Sequence, residues 1–148
     1  MNFKFISTVS LSLFFGILSG FTTIPAEEDD HIVAATLILE AGGEYDEGAM
    51  EAVYEVIVNR AKIRNLTLVE VCLQRKQFSC WNNKDVAVGI THARSHPRWN
   101  QALNIVNSPL TNYTKGADHY HADYIRDPYW AKHYTKTTKI GRHIFYKQ

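Results

Sequence analysis

The hydrophobic period of this chain changes once, near Thr111. Before that point apolar residues recur three and four apart, the spacing of a helix buried on one side; beyond it aromatic, Thr and Gly residues increase and strict alternation takes over. Helical patterning first and strand patterning last describe segregated layers, so the expected class is α+β: a mainly helical lobe followed by a small β-containing lobe. The first helix is predicted to start near Asp30, which can cap it, and to run through Val33, Leu37 and Ile38 to Glu40, where Gly42-Gly43 stops it. A second spans about 47–63, with Met50, Val53, Ile57 and Ala61 on one face and Ala52, Val56 and Asn59 beside them. Arg60, Lys62 and Arg64 sit near its C-terminus, where the helix dipole favours cations. Thr67-Leu68-Val69-Glu70 is a capping box that opens a short helix to about Leu73. Pro97 suits the first turn of another, carrying Trp99, Ala102, Ile105 and Val106. Residues 117–122 read as a strand, and 137–146 as one or two strands turning near Gly141.

The N-terminal stretch reads as an export signal. Lys4 is the first charged side chain, and none follows until Glu27; the residues between are apolar with interspersed Ser, Thr and Gly, ending at the small Ala26. That pattern assigns residues 1–26 to a secretory signal peptide, although Ile24 stands where a second small residue is usual. The apolar stretch is also about long enough to span a bilayer, so a retained anchor is the alternative. Residues 27–148 then form one compact domain with no stable membrane anchor after cleavage. Of the 16 basic residues 15 remain after position 26, together with all 15 acids, so this part has zero net charge. Ten acids and no Lys or Arg fall in residues 27–56, whereas residues 57–148 hold five acids and fifteen bases. No continuous basic face is indicated, and nucleic acid is not an expected partner. Cys72 and Cys80 are the two cysteines. An oxidising compartment would let them pair, closing a short loop worth about 2–3 kcal/mol; two buried free thiols are the alternative.

Glu40 is the leading candidate for chemistry. Its run, Leu37-Ile38-Leu39-Glu40-Ala41-Gly42-Gly43-Glu44, ends an apolar helix at a glycine pair. A carboxyl at such a helix end lies beside a backbone that a bulky ligand can approach closely, and apolar or acidic neighbours there favour the protonated form of an acid.

The segments Glu40-Ala41-Gly42-Gly43-Glu44, Gly48, Val56-Ile57-Val58-Asn59-Arg60, Val71-Cys72, Gln77-Phe78-Ser79-Cys80, Gly116-Ala117-Asp118-His119-Tyr120-His121, Pro128-Tyr129-Trp130-Ala131 and Ile140-Gly141-Arg142-His143-Ile144-Phe145-Tyr146, in this order and spacing, together resemble the SleB/CwlJ cell-wall hydrolase family, which includes spore cortex-lytic enzymes. The resemblance covers most of residues 33–147. It implies a lysozyme-like domain acting on peptidoglycan glycan strands. Members of this kind are lytic transglycosylases that cut between N-acetylmuramic acid and N-acetylglucosamine, with the first Glu of the acidic pair, here Glu40, as the acid. Gly42 stands where the usual pattern has Arg, which removes a cation near the site. The implied location is secreted or in the envelope, whether periplasm, spore integument or the outside medium. No wall-binding repeat accompanies the domain, so an accessory or activating protein is an open question.

Around Glu40 the other candidates are supporting or substrate-binding residues. Glu44 would share a face with Glu40 in a continuous helix, but the glycine pair breaks that geometry; Asp46 and Glu47 are expected to start the next helix. Asn59 interrupts an apolar helix and needs partners if buried. Gln77 and Phe78 lie beside Cys80, so a bridge would fix their loop. Tyr120 and Trp130 offer faces that can stack on sugars or pack in the core. His143 is expected to order the terminal lobe. His119, His121, His133 and His143 would be the ligands of a metal-dependent wall amidase, but no His-Glu-x-x-His motif is present, and neither metal nor cofactor is expected. A cysteine peptidase built on Cys80 would lose its nucleophile to a bridge. A non-catalytic peptidoglycan-binding module is the reading from another class.

Overall fold

The computed structural model describes residues 26–46 and 48–148. The export signal and the expected role of Glu47 lie outside the described residues. Among the described residues five α-helices precede three strands: α1 (Ala26–Ala41), α2 (Ala49–Arg64), α3 (Leu68–Leu73), α4 (Val86–Arg94), α5 (Trp99–Val106), β1 (His119–Ala122), β2 (Thr135–Ile140) and β3 (His143–Lys147). Short 3-10 turns at Ser79–Trp81 and Tyr129–Lys132 punctuate the loops. The class is α+β, as the change of period near Thr111 implies. Among the described residues no helix is long and apolar enough to cross a membrane.

α1 is the hub. Val33, Ala34, Ala35 and Leu37 are buried on successive sides, and α2, α3, α4 and α5 all pack against it. Asp30 lies inside this helix rather than capping it, because the helix already runs from Ala26. α2 serves two layers at once. Met50, Val53, Ile57 and Ala61 face the helical core, while Ala52 and Val56 meet Ala117 and Phe145 from the strand lobe. The small Ala52 lets the sheet approach closely. Thr67 forms its capping box with Glu70: the Thr67 hydroxyl accepts from the Glu70 N–H, and the Glu70 carboxylate accepts from the Thr67 N–H at 2.8 Å.

Sequence patterning overlooks α4. Its stretch contains Gly89, Thr91 and His92, all poor helix formers. Its start is nonetheless set by Asp85, whose carboxylate accepts from Val88 N–H at 3.1 Å. Gly89 is there for packing: a Cβ at that position would lie 2.4 Å from the ring of Trp81. The Trp81 indole N–H in turn donates to the Thr36 hydroxyl at 2.9 Å, so α4 reaches α1 through one aromatic ring.

The sheet is antiparallel in the order β1-β3-β2. β3 pairs Tyr120 with Phe145 and Ala122 with His143 on one side, and β2 joins it on the other with an irregularity between Lys136 and Thr138. Because side chains alternate and paired residues share a face, Tyr120, His143 and Phe145 point toward the helices. His119, His121 and Tyr146 point away. Glu55 ties the two lobes. Its buried carboxylate accepts from the Thr111 hydroxyl, the Tyr113 N–H, and both the N–H and hydroxyl of Thr114, all at 2.7–2.8 Å.

Candidate active site

Glu40 lies in the last turn of α1 and opens into a groove of about 580 Å³ lined by Leu39, Glu40, Gly43, Glu44, Tyr124 and Arg142. Size alone does not single this groove out. A hollow of about 680 Å³ beside α4 is larger, but its Asp85 caps that helix and its His31 is engaged by Arg94 at 2.7 Å.

The Glu40 carboxylate is held at both oxygens. The Tyr120 hydroxyl donates to Oε2 at 2.8 Å, and the Cys80 N–H donates to Oε1 at 3.4 Å. Tyr120 is fixed in its turn: His143 meets its ring edge-on at 4.8 Å and Phe145 lies at 5.6 Å. Burial, then the charge of Glu40 and the hydrogen bond to it, push the Tyr120 phenol well above its ordinary pKa, so it stays a donor. Tyr120 therefore grips the acid with its hydroxyl, while its ring packs against neighbours.

Glu44 meets the sheet rather than pairing with Glu40 along a helix. Its Oε2 accepts from Arg142 N–H at 2.9 Å, and its Oε1 lies 3.2 Å from His143 Nδ1, off the line a hydrogen bond requires. Asp46 accepts from Gly141 N–H at 2.9 Å. These two acids clamp the two-residue turn between β2 and β3. Gly141 has φ +55° there, and an added Cβ would overlap the Glu44 carboxylate. Glycine at the first turn position with positive φ matches the right-handed twist of a hairpin. Burial lowers the His143 pKa against the opposing pull of Glu44 and Glu40.

Asn59 Nδ2 donates to Ala117 carbonyl at 2.8 Å, and Arg60 Nε donates to Asp118 carbonyl at 2.6 Å. Consecutive residues of α2 thus hold the entry to β1, which carries Tyr120. The Arg60 guanidinium sits over the buried Phe78 ring at 5.3 Å, and its Nη1 has no partner among the described residues. Gln77 is drawn off to Arg64, whose Nη1 donates to its side-chain oxygen at 2.9 Å. Trp130 packs on the outward face of the sheet with His119, His121, Tyr134 and Tyr146, away from Glu40.

The expected bridge between Cys72 and Cys80 is corrected: both are free thiols. Cys72 is buried in the helical core, whereas Cys80 is half-buried at its edge, with its N–H donating to Glu40 Oε1. Burial pushes the Cys72 thiol up to about 12 and the Cys80 thiol up as well, so neither is poised as a nucleophile. The histidines divide between faces, His119 and His121 outward and His143 inward. Among the described residues no three His, Cys, Asp or Glu side chains are grouped to hold a metal.

Three residues of this region were not named as site candidates from the sequence. Arg60 signalled itself as a charge inside an apolar helix next to Asn59. Arg142 follows a glycine in a turn, and Tyr124 follows a strand, where no period assigns a face. Arg142 and Tyr124 form one wall of the groove: the Arg142 guanidinium lies over the Tyr124 ring at 4.6 Å, and Asp123 pairs with Lys139 at 2.8 Å and Arg142 at 3.5 Å.

A buried helix that ends in a carboxyl, gripped by a tyrosine from a small sheet across an open groove, is the arrangement the comparisons address. A family model described as Cell Wall Hydrolase matches residues 43–146. The chain belongs to that family, and it is SleB/CwlJ-like. The catalytic domain of the Bacillus cereus SleB protein shares the fold at a TM-score of 0.60 and 23% identity, covering 87% of this chain and 99% of that one. No curated protein matches the sequence.

Proposed function

We propose that this cell wall hydrolase cleaves the glycan strands of peptidoglycan as a lytic transglycosylase, between N-acetylmuramic acid and N-acetylglucosamine, with Glu40 as acid and then base. The observation that carries the reading is the inequality of the two groove carboxylates. Glu40 is gripped at the end of α1 and borders the open groove, whereas Glu44 is turned to the hairpin, its Oε2 accepting from Arg142 N–H and its Oε1 beside His143. Ordinary glycoside hydrolysis uses two working carboxylates, one to protonate the leaving oxygen and one as nucleophile or base. Here one working carboxyl is available, which supports a mechanism in which the substrate supplies its own nucleophile.

In that mechanism Glu40 gives its proton to the glycosidic oxygen as the bond to the anomeric carbon breaks. The C6 hydroxyl of the same muramic acid residue attacks that carbon, and Glu40 takes the proton the hydroxyl releases. One C–O bond breaks, one forms, no water is consumed, and Glu40 ends as it began. Tyr120 would hold the carboxyl in one orientation through both proton transfers. An envelope or secreted location fits such a substrate.

Mass spectrometry of digested wall in isotopically heavy water tests the reading. Anhydro ends without the heavy isotope are expected from the wild-type protein, and none from Glu40→Gln. Labelled reducing ends would instead show hydrolysis. Peptide-linkage products without glycan cleavage would replace the reading by an amidase, and retention on wall without any product would leave a binding module.

A further inference from the structure

Two hollows meet at the loop after α1. The Glu40 groove lies on one flank. On the other is a hollow of about 490 Å³, lined by Gly42, Gly43, Glu44, Tyr45, His96, Pro97, Arg98 and Gln101, so that Gly43 and Glu44 form a wall common to both. We propose that the second hollow is a further sugar-binding subsite, and that Gly43 is the low saddle over which one glycan strand passes from it into the Glu40 groove. The proposal rests on the glycan-cleaving reading for the identity of the polymer.

The glycine pair itself shows the asymmetry. Gly42 sits tight against the helix end: its N–H closes the helix on Ile38 carbonyl at 2.9 Å, and a Cβ on the present backbone would lie 2.5 Å from that same oxygen. Gly43 is required by nothing in the protein. It is exposed, its φ is not positive, and a Cβ added to it meets no atom within 4 Å. The open space its side chain would fill is the crest between the two hollows. A residue without a side chain there keeps the crest flush with the backbone, which lets a ribbon-like polymer lie across it.

The second hollow is built to stay in shape and to offer donors. Arg98, at the start of α5, sends Nη1 to the carbonyls of Glu44 at 2.5 Å and Gly42 at 3.3 Å, pinning the crest to the helical lobe. Its Nε donates to the Gln101 side-chain oxygen at 2.9 Å, which leaves the Gln101 amide NH₂ as a donor. Arg98 N–H donates to His96 Nδ1 at 3.2 Å, so the neutral His96 ring carries its proton on Nε2. Donors of this kind suit the hydroxyl and N-acetyl oxygens of a sugar. Tyr45, fully exposed beside them, supplies an aromatic face of the sort that sugar rings stack on.

The test is binding, measured with Glu40→Gln so that strands stay intact. Titration calorimetry with defined wall glycans should show a six-sugar strand binding at least tenfold tighter than a two-sugar unit. Gly43→Val in the same background, checked for an unchanged melting temperature, should erase that gain, and Gln101→Ala should reduce it. Equal affinity for both lengths, or a length gain that survives Gly43→Val and Gln101→Ala, overturns the proposal. Length-dependent binding with a wild-type protein that cuts no glycan would sink the catalytic reading and leave the track standing. Cleavage of glycan with length-independent binding would do the reverse.

Discussion

Tyr120 and His121 are neighbours in sequence and lie on opposite faces of β1. Tyr120 turns inward, reaches Glu40 with its hydroxyl, and is braced by His143 and Phe145. His121 turns outward into a cluster of its own kind: it stacks on Tyr146 at 5.4 Å, meets Trp130 edge-on at 5.8 Å, and its Nδ1 lies 2.9 Å from Ala122 carbonyl. Both faces are rich in aromatic and imidazole rings, yet one ends on the acid and the other closes on itself. The residue types are the same, so the role follows from which face of the strand a residue occupies. The inner face places the candidate acid, and the outer face keeps the small sheet from collapsing or slipping its register.

Removing the acid should separate function from structure most sharply. General acid–base catalysis is worth about 10²–10⁴-fold, so Glu40→Gln should lower wall-degrading activity about a thousandfold while its melting temperature stays close to wild type. A turbidity assay on purified wall alongside thermal unfolding reads both. Near-wild-type activity in the folded variant ends the assignment.

The comparison itself is broken or upheld by one variant on each face. Tyr120→Phe keeps the ring and removes the hydroxyl that orients the Glu40 carboxyl, so turnover of the folded fraction should fall about 10- to 100-fold, with a stability loss no greater than the about 1.5–3 kcal/mol of a hydrogen bond to a charged group. Trp130→Ala should do the opposite. It is half-buried, so the loss should be about 2 kcal/mol, below the about 3–5 kcal/mol of a fully buried Trp, with turnover of the folded fraction within about threefold. If both variants lose activity in proportion to stability, the two faces are not functionally distinct.

How much of this was readable from residues alone depends on what kind of interaction sets each feature. The helical lobe was largely legible because its burial has a period: Met50, Val53, Ile57 and Ala61 announce themselves by spacing, and Thr67 with Glu70 by cap chemistry. α4 was not, because Gly89 answers to the ring of Trp81, a neighbour in space but not in pattern. Glu40 could be picked out because the helix stop beside it is local. Its partner Tyr120 could be placed on a strand but not on a face, since only the pairing with β3 decides which way a four-residue strand points. Cys72 and Cys80 misled for a related reason. Compartment chemistry favours pairing, but packing in space decides it, and here Cys72 lies in the core while Cys80 sits at its edge, both as free thiols.

Glu55 bears on both faces, because the loop it holds leads into β1. Burial pushes this carboxyl up, and hydrogen bonds from Thr114, Thr111 and Tyr113 outweigh that and hold it below the usual Glu range. A carboxyl depressed in the folded state stabilises above its unfolded pKa, and that contribution is lost as pH falls through the folded value. Glu55→Gln should therefore destabilise by about 1.5–3 kcal/mol near neutral pH and flatten the acid limb of a melting-temperature profile. An acid limb of unchanged slope would mean that the carboxylate clamp contributes little.

The smallest effect belongs to His143 and sharpens the inner face alone. Burial lowers its pKa below the ordinary value of 6.5, with Glu44, Glu40 and Asp123 pulling the other way and His121 adding to the lowering. As the solution is acidified from neutrality, the unfolded chain takes up this proton before the folded one does. The folded state thus has its full advantage above about pH 6.5 and loses it as pH falls through the depressed value. The loss falls in a milder window than that of Glu55, so the two can be resolved. His143→Gln should remove the mild-acid decline and leave the steeper Glu55 limb in place. Because a protonated His143 attracts the Glu44 carboxylate 3.2 Å away, its protonation should also hold Glu44 more firmly on the turn at Gly141. Amide exchange at Arg142 should then slow between neutral and mildly acidic pH, beyond the intrinsic change, in the wild type and not in the variant. Exchange at Arg142 that shows no such extra slowing would detach His143 from the clamp and leave Glu44 alone to hold the hairpin against the groove.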